Sequence, residues 1–121
     1  MKVTEIAFSC YPVTDLKRAR EFYEGTLGLK ESRLFGDARE AWIEYDIGPG
    51  TLAITNMSPD WKASPDGGGV GLEVEDFKEA VARLKDRKVA FRVEPMETPV
   101  CWMAVVSDPD GNSISVHKRK E

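Results

Sequence analysis

The sequence predicts an α+β fold built from two tandem βαβββ modules. Two internal matches carry that prediction. Val13-Thr14-Asp15-Leu16-Lys17-Arg18-Ala19 aligns with Val74-Glu75-Asp76-Phe77-Lys78-Glu79-Ala80 at an offset of 61. Asp46-Ile47-Gly48-Pro49-Gly50-Thr51-Leu52 aligns with Asp108-Pro109-Asp110-Gly111-Asn112-Ser113-Ile114 at an offset of 62. Two matches at nearly one spacing mark an internal repeat. A third observation supports them: each half shows one strand pattern, one helical pattern and three further strand patterns, in the same order.

The elements follow in turn. Residues 3–11 alternate as a strand, with Ile6, Phe8 and Cys10 on one face and Ala7, Ser9 and Tyr11 on the other. Asp15 can cap a helix in which Leu16, Ala19, Tyr23 and Leu27 hold helical spacing, and Gly28 ends it. Strands are expected over 30–36, 40–46 and 51–56, separated by turn residues at Gly36-Asp37 and Ile47-Gly48-Pro49-Gly50. In the second half, residues 70–74 read as a strand. Asp76 is an N-cap with Glu79 as its capping-box partner, and Phe77, Ala80, Val81 and Leu84 form the apolar stripe of the helix. Strands near 89–94, 101–107 and 113–117 complete the unit, with Asp108-Pro109-Asp110-Gly111 as the last turn. The chain thus reads as one domain over 1–121, with halves 1–56 and 70–118 joined by a Pro- and Gly-bounded linker over 57–69. That polar linker is expected to be the most mobile segment.

Composition bounds the function. The 121 residues hold 41% hydrophobic and 31% charged side chains, enough for one domain to bury a core unaided. Seventeen Lys+Arg against 21 Asp+Glu give a net charge of −4, which argues against a nucleic-acid binder. No apolar run nears the ~20 residues of a membrane helix, and residues 1–6 lack the layout of a signal peptide. Cys10 and Cys101 make neither a metal motif nor a disulfide framework. A cytoplasmic protein is expected.

The repeat resembles the vicinal oxygen chelate superfamily of glyoxalases, bleomycin-resistance proteins and extradiol dioxygenases. The resemblance rests on Val13-Thr14-Asp15-Leu16 with Ala19, Phe22-Tyr23 and Leu27-Gly28-Leu29, then Leu72-Glu73-Val74-Glu75-Asp76 with Ala80, and Asp108-Pro109-Asp110-Gly111-Asn112. It implies a cup-shaped curved mixed sheet with helices on the outside. In the superfamily's metalloenzymes, His or Gln on the first strands and Glu on the last strands of the two halves bind a metal in that cup. The matching positions here are Phe8, Ala53, Gly69 and Ser115. A divalent transition metal needs several imidazole, carboxylate or thiolate donors, which these residues do not offer. The expectation is no metal, no cofactor and no catalytic residue.

What remains is a set of candidate ligand contacts: Phe8, Cys10, Trp42, Trp102, Ser115 and His117. Phe8 and the tryptophans either line a pocket for a flat or cationic organic ligand or simply fill the core. By the offset of 62, Trp42 falls two residues from Trp102 and is its near counterpart. His117 is the sole histidine, either a ligand contact or general base, or an exposed residue leading into Lys118-Arg119-Lys120. Both cysteines read as buried thiols without an activating base. Glu40, Glu44, Glu73 and Glu75 read as solvated faces. Trp61, inside the linker, is expected to cover a pocket mouth or a partner.

The first expectation is therefore a metal-free binder of a small aromatic or cationic molecule, of the bleomycin-resistance type and homodimeric. The alternatives are a divergent lyase, isomerase or dioxygenase with relocated ligands such as His117 plus a carboxylate, and a non-catalytic interaction subunit.

Overall fold

Asp15 and Asp76 start the two helices in the same way. Each has extended backbone, and its carboxylate accepts the amide three residues on, from Arg18 and Glu79 respectively, both at 3.0 Å. This satisfies one of the amides that the first helical turn leaves unpaired. In the computed structural model, which describes residues 1–120, the chain forms two compact units, Met1–Ala63 and from Ser64 onward. Each is a βαβββ module with a four-stranded mixed sheet.

The first module runs β1 (Ser9–Pro12), α1 (Leu16–Arg20), a π-helical segment (Glu21–Thr26), β2 (Glu31–Gly36), β3 (Ala41–Ile47) and β4 (Gly50–Thr55), with strand order β1-β4-β3-β2. The second runs β5 (Val70–Glu73), α2 (Phe77–Asp86), β6 (Phe91–Glu97), β7 (Cys101–Ser107) and β8 (Ser113–Arg119), in the order β5-β8-β7-β6. In both, the first strand pairs parallel with the last, and the other pairs are antiparallel.

In the first module the helical segment buries Phe22 and Tyr23 side by side. The wider π turn allows two successive residues to point inward. Tyr23 stacks on Tyr45 at 6.2 Å between ring centroids and meets Phe22 edge-on at 5.1 Å. The Tyr45 hydroxyl donates to Glu24 Oε2 at 2.8 Å. Burial and that carboxylate hold the phenol well above its ordinary pKa, so it remains a donor. Gly28, at φ +76°, turns the chain out of the helix, and Leu29 N–H bonds back to Tyr23. Gly36 is required for a different reason: a Cβ there would lie 2.2 Å from the Glu40 carbonyl oxygen.

Three expectations need correction. The first strand covers only Ser9–Pro12, and residues 1–8 lie outside the sheet, with Val3 and Ile6 exposed. Alternation alone makes no strand where no neighbour supplies ladder bonds. The first helix is α-helical only to Arg20. On α2, Leu84 alone is buried, whereas Phe77, Ala80 and Val81 are half-buried. Within the linker, Pro65 O accepts from Arg92 Nη1 at 2.6 Å and from Ser113 Oγ at 2.8 Å, and Arg92 also lies 4.0 Å from Asp66.

The turn before β8 hangs on Asp108. Its carboxylate is buried and accepts from the Asp110 and Asn112 amides and from Asn112 Nδ2, at 2.8–2.9 Å. Asp108→Ala would orphan these donors, and we expect a loss of about 2–3 kcal/mol in urea unfolding. Asp37 makes a similar but exposed turn, accepting from Arg39 N and Glu40 N. Asp37→Ala should therefore cost visibly less in the same measurement.

Candidate functional site

Strand pairing sets which residues share a face, because side chains alternate along each strand. In the first module, Cys10, Ala53, Glu44 and Arg33 form one row across the sheet. Pro12, Thr55, Trp42 and Phe35 form the next row on the same face. Tyr11, Ile54, Ile43 and Leu34 point the other way, toward the helix. The helix-free face therefore carries Cys10 and Trp42, and Phe8 joins them, its ring edge-on to Trp42 at 5.1 Å. Phe8 and Phe35 are exposed, and Trp42 is half-buried.

Polar groups fix this aromatic face. Glu44 accepts from Trp42 Nε1 at 2.8 Å and from Arg33 Nε at 2.6 Å, and Arg33 also reaches Asp46. The indole N–H, then the guanidinium, hold the Glu44 carboxyl below its usual range. Burial, with Glu44 nearby, pushes the Cys10 thiol up to about 12. It is protonated at neutral pH and is no nucleophile. Glu44 and Arg33 are the residues that sequence reasoning missed here. The signal was present, since Glu44 stands two residues from Trp42 on one strand and must share its face.

In the second module the equivalent rows are Gly71, Ser115, Val105 and Val93, then Glu73, His117, Met103 and Met96. Ser115 and His117 therefore share the helix-free face. His117 Nδ1 lies 2.5 Å from Glu73 Oε1, while Glu73 Oε2 accepts the Arg119 amide at 2.7 Å. That amide, then His117, lower the Glu73 pKa. A neutral imidazole donating Nδ1–H to this carboxylate keeps Nε2 as an acceptor. Glu73 was read as a solvated face. Its partner lies 44 positions away, and only the parallel pairing of β5 with β8 brings the two together.

Two placements differ from expectation. The counterpart of Trp42 is Met103, because Trp42 pairs with Thr55 as Met103 pairs with His117. Trp102 pairs with Lys118 on the opposite, helix-covered face, where it lines a cleft with Phe77, Val81 and Pro95. Sequence offset could not reveal this, since a shift of one residue changes the face. Trp61 is exposed in the linker, its amide bonded to Ser58 O.

The positions that the family uses for metal do not fit one. Ala53 pairs with Cys10 and Ser115 with Gly71, while Phe8 and Gly69 precede their strands. Alanine, glycine and phenylalanine side chains provide no donor, and the Cys10 thiol is held protonated. Among the described residues, no three His, Cys, Asp or Glu side chains come together as a metal site. No helix among them is long and apolar enough to cross a membrane.

Known proteins bear on this geometry. No curated protein matches the chain. Among solved structures, TnmS3, an antibiotic-binding protein from Streptomyces sp. CB03234, is 26% identical with a TM-score of 0.80, covering 99% of both chains. A glyoxalase/bleomycin resistance protein from the same organism is 27% identical, with a TM-score of 0.75 over 94% of this chain and all of its own. The trypanothione-dependent glyoxalase I of Leishmania major is also 27% identical, with a TM-score of 0.73 over 96% of this chain and 87% of its own. The family model described as Glyoxalase/Bleomycin resistance protein/Dioxygenase superfamily matches residues 4–116. On its repeat, its two βαβββ modules and this match across almost its whole length, the chain belongs to the glyoxalase/bleomycin resistance protein/dioxygenase superfamily.

Proposed function

We propose that the protein binds a small aromatic or cationic organic molecule without a resident metal, through the helix-free faces of its sheets. One observation carries this reading: Phe8, Trp42 and Phe35 lie together and partly exposed, beside an ionised and oriented Glu44. Exposed aromatic clusters of this kind mark recognition surfaces, and a carboxylate at the edge of indole and phenyl rings favours a flat cation. The antibiotic-binding relative at 26% identity supports a binding role. Phe8, Cys10 and Trp42 would contact such a ligand on the first module's face, and Ser115 and His117 would offer contacts on the second module's own face. Met103 adjoins His117 and Met96 adjoins Met103, and both would adapt to an irregular ligand surface.

The His117–Glu73 pair favours a second reading, in which the helix-free face of the second module performs proton transfer. The carboxylate orients the imidazole, and Nε2 would accept a proton from an acidic C–H or O–H of a bound molecule. Turnover lost in H117Q, with ligand affinity retained, would support this reading over simple binding.

The experiment that tests binding is titration with a planar cationic dye, proflavine, read by tryptophan fluorescence. Saturable quenching is expected, and Trp42→Ala should weaken it by about 1–2 kcal/mol while the protein stays folded. An unchanged affinity in that variant would refute a role for this face.

Added Zn²⁺, Ni²⁺, Mn²⁺ or Fe²⁺ should leave the melting temperature unchanged. A metal that binds only the native state at 100 times its dissociation constant would stabilise by about 2.7 kcal/mol, so a chelator-reversible rise would overturn the metal-free reading. Light scattering should give twice the 13.5 kDa of the chain, in keeping with exposed apolar side chains at Val3, Ile6 and Phe8.

Glu44 also makes a prediction about pH. Its folded pKa is lowered, so its contribution is present above the unfolded carboxyl value of about 4.3 and is lost as pH falls through the folded value. Melting temperature should fall on that acidic limb, and E44Q should flatten the fall.

A further inference from the structure

Trp102 stands apart from the other aromatic candidates. It pairs with Lys118 on the face covered by α2, and its side chain walls a cleft of about 540 Å³ between the start of α2 and the β6–β7 hairpin. Phe77 and Val81 from the helix and Pro95 from β6 complete the apolar lining. All four are half-buried, so each has finished packing on one side only.

The first module has a cleft in the same place, and the contrast is informative. There Leu16 stands for Phe77 and Ala41 for Trp102, and Arg20 crosses the lip to pair with Glu24 and Glu31. The cations of that cleft include one already neutralised, and it offers no ring to stack on. In the second module the indole is present and held. Lys120 lies over it, 4.8 Å from the ring centroid, and is itself paired with Glu97. One face of the indole is thereby occupied, and the ring is fixed beside the cleft.

The charges of the second cleft are unequal in what they have left to offer. Glu75 and Asp76 line the cleft at the start of α2, and Asp76 uses its carboxylate to cap the helix. Lys118 stands beside Trp102 in register, and neither Lys118 nor Lys78 has an ion-pair partner among the described residues. Of the cations that line the cleft, Lys118 is the one beside the stacking ring, whereas both carboxylates stand at the start of α2, so the slot matches a flat ring whose negative charge lies on the Trp102 side.

We propose that this cleft is a second binding site, which takes a planar aromatic carboxylate with its ring against Trp102 and its carboxylate on Lys118. The site is independent of the function proposed above, because it lies on the helix-covered face of the second module's sheet and shares no residue with the Trp42 cluster on the first.

The test uses 2-naphthoate, its neutral isostere 2-naphthylmethanol and its cationic counterpart 2-naphthylmethylamine, by calorimetry and by ¹⁵N–¹H spectra of the indole N–H groups. Naphthoate should bind saturably and move the Trp102 indole signal, assigned by its disappearance in W102L, while the Trp42 signal stays still. K118Q should weaken naphthoate about tenfold, the scale of one charge-assisted hydrogen bond, and leave naphthylmethanol unaffected. K118Q removes the charge at a half-buried strand position and leaves Trp102 in place, so it decides the matter even if W102L does not fold. No binding of naphthoate, equal affinity in K118Q, tighter binding of the amine, or movement of the Trp42 signal instead would each overturn the proposal. The proflavine titration on Trp42 stands or falls separately.

Discussion

The register of the last strand in each module is the constraint on which everything else depends. β4 and β8 each lie between a parallel and an antiparallel neighbour, and their side chains alternate between the core and the helix-free face. A slip of one residue in β8 would expose Ile114 and Val116, both buried, and drive Ser115 and His117 into apolar surroundings. Each large aliphatic side chain so exposed would cost about 1.5–3 kcal/mol, so the register is strongly specified. The turn centred on Asp108 fixes where β8 begins, and the buried carboxylate bonds within it therefore determine which face His117 presents.

On this shared frame the two modules have diverged in chemistry. The row that holds Pro12, Thr55, Trp42 and Phe35 in the first module holds Glu73, His117, Met103 and Met96 in the second. One is rigid and aromatic, the other flexible, with a single oriented imidazole. The adjacent row changes from an ion pair, Glu44 with Arg33, to Ser115 and two valines. These replacements all fall on the face of each sheet turned away from its helix. A scaffold of this kind hosts unrelated activities because the helix-covered face supplies the stability and the other face is free to vary.

Electrostatics in the first module serve to hold the aromatic groups in place. Glu44 would gain little from Arg33 alone, as an exposed pair. Its bond to the Trp42 indole does more, because it settles the ring orientation and uses the only hydrogen-bond donor that tryptophan has. Burial, with the same carboxylate nearby, keeps the Cys10 thiol protonated, so the face presents a small apolar side chain there rather than a nucleophile. In the second module Glu73 performs the corresponding task for His117, with the Arg119 amide holding its other oxygen.

Local signals in the sequence were sufficient for the repeat, the order of elements, both helix caps and the turns at Gly36 and Asp108. Each of these is decided by residues within a few positions of one another. The faces of β4 and β8, and hence the placement of Ser115 relative to the core, were also legible from alternation. Three features were not. The first strand begins only at Ser9 because ladder partners, and not its own alternation, bound it. Glu73 and Glu44 looked like solvated charges because their partners, His117 and Arg33, lie on other strands. Trp102 looked equivalent to Trp42, yet pairing puts it on the opposite face beside Lys118. The sequence by itself determined what each segment is, through contacts of short range; only the tertiary structure decided which distant side chains share a face, because that depends on pairing between strands and a single residue of register reverses it.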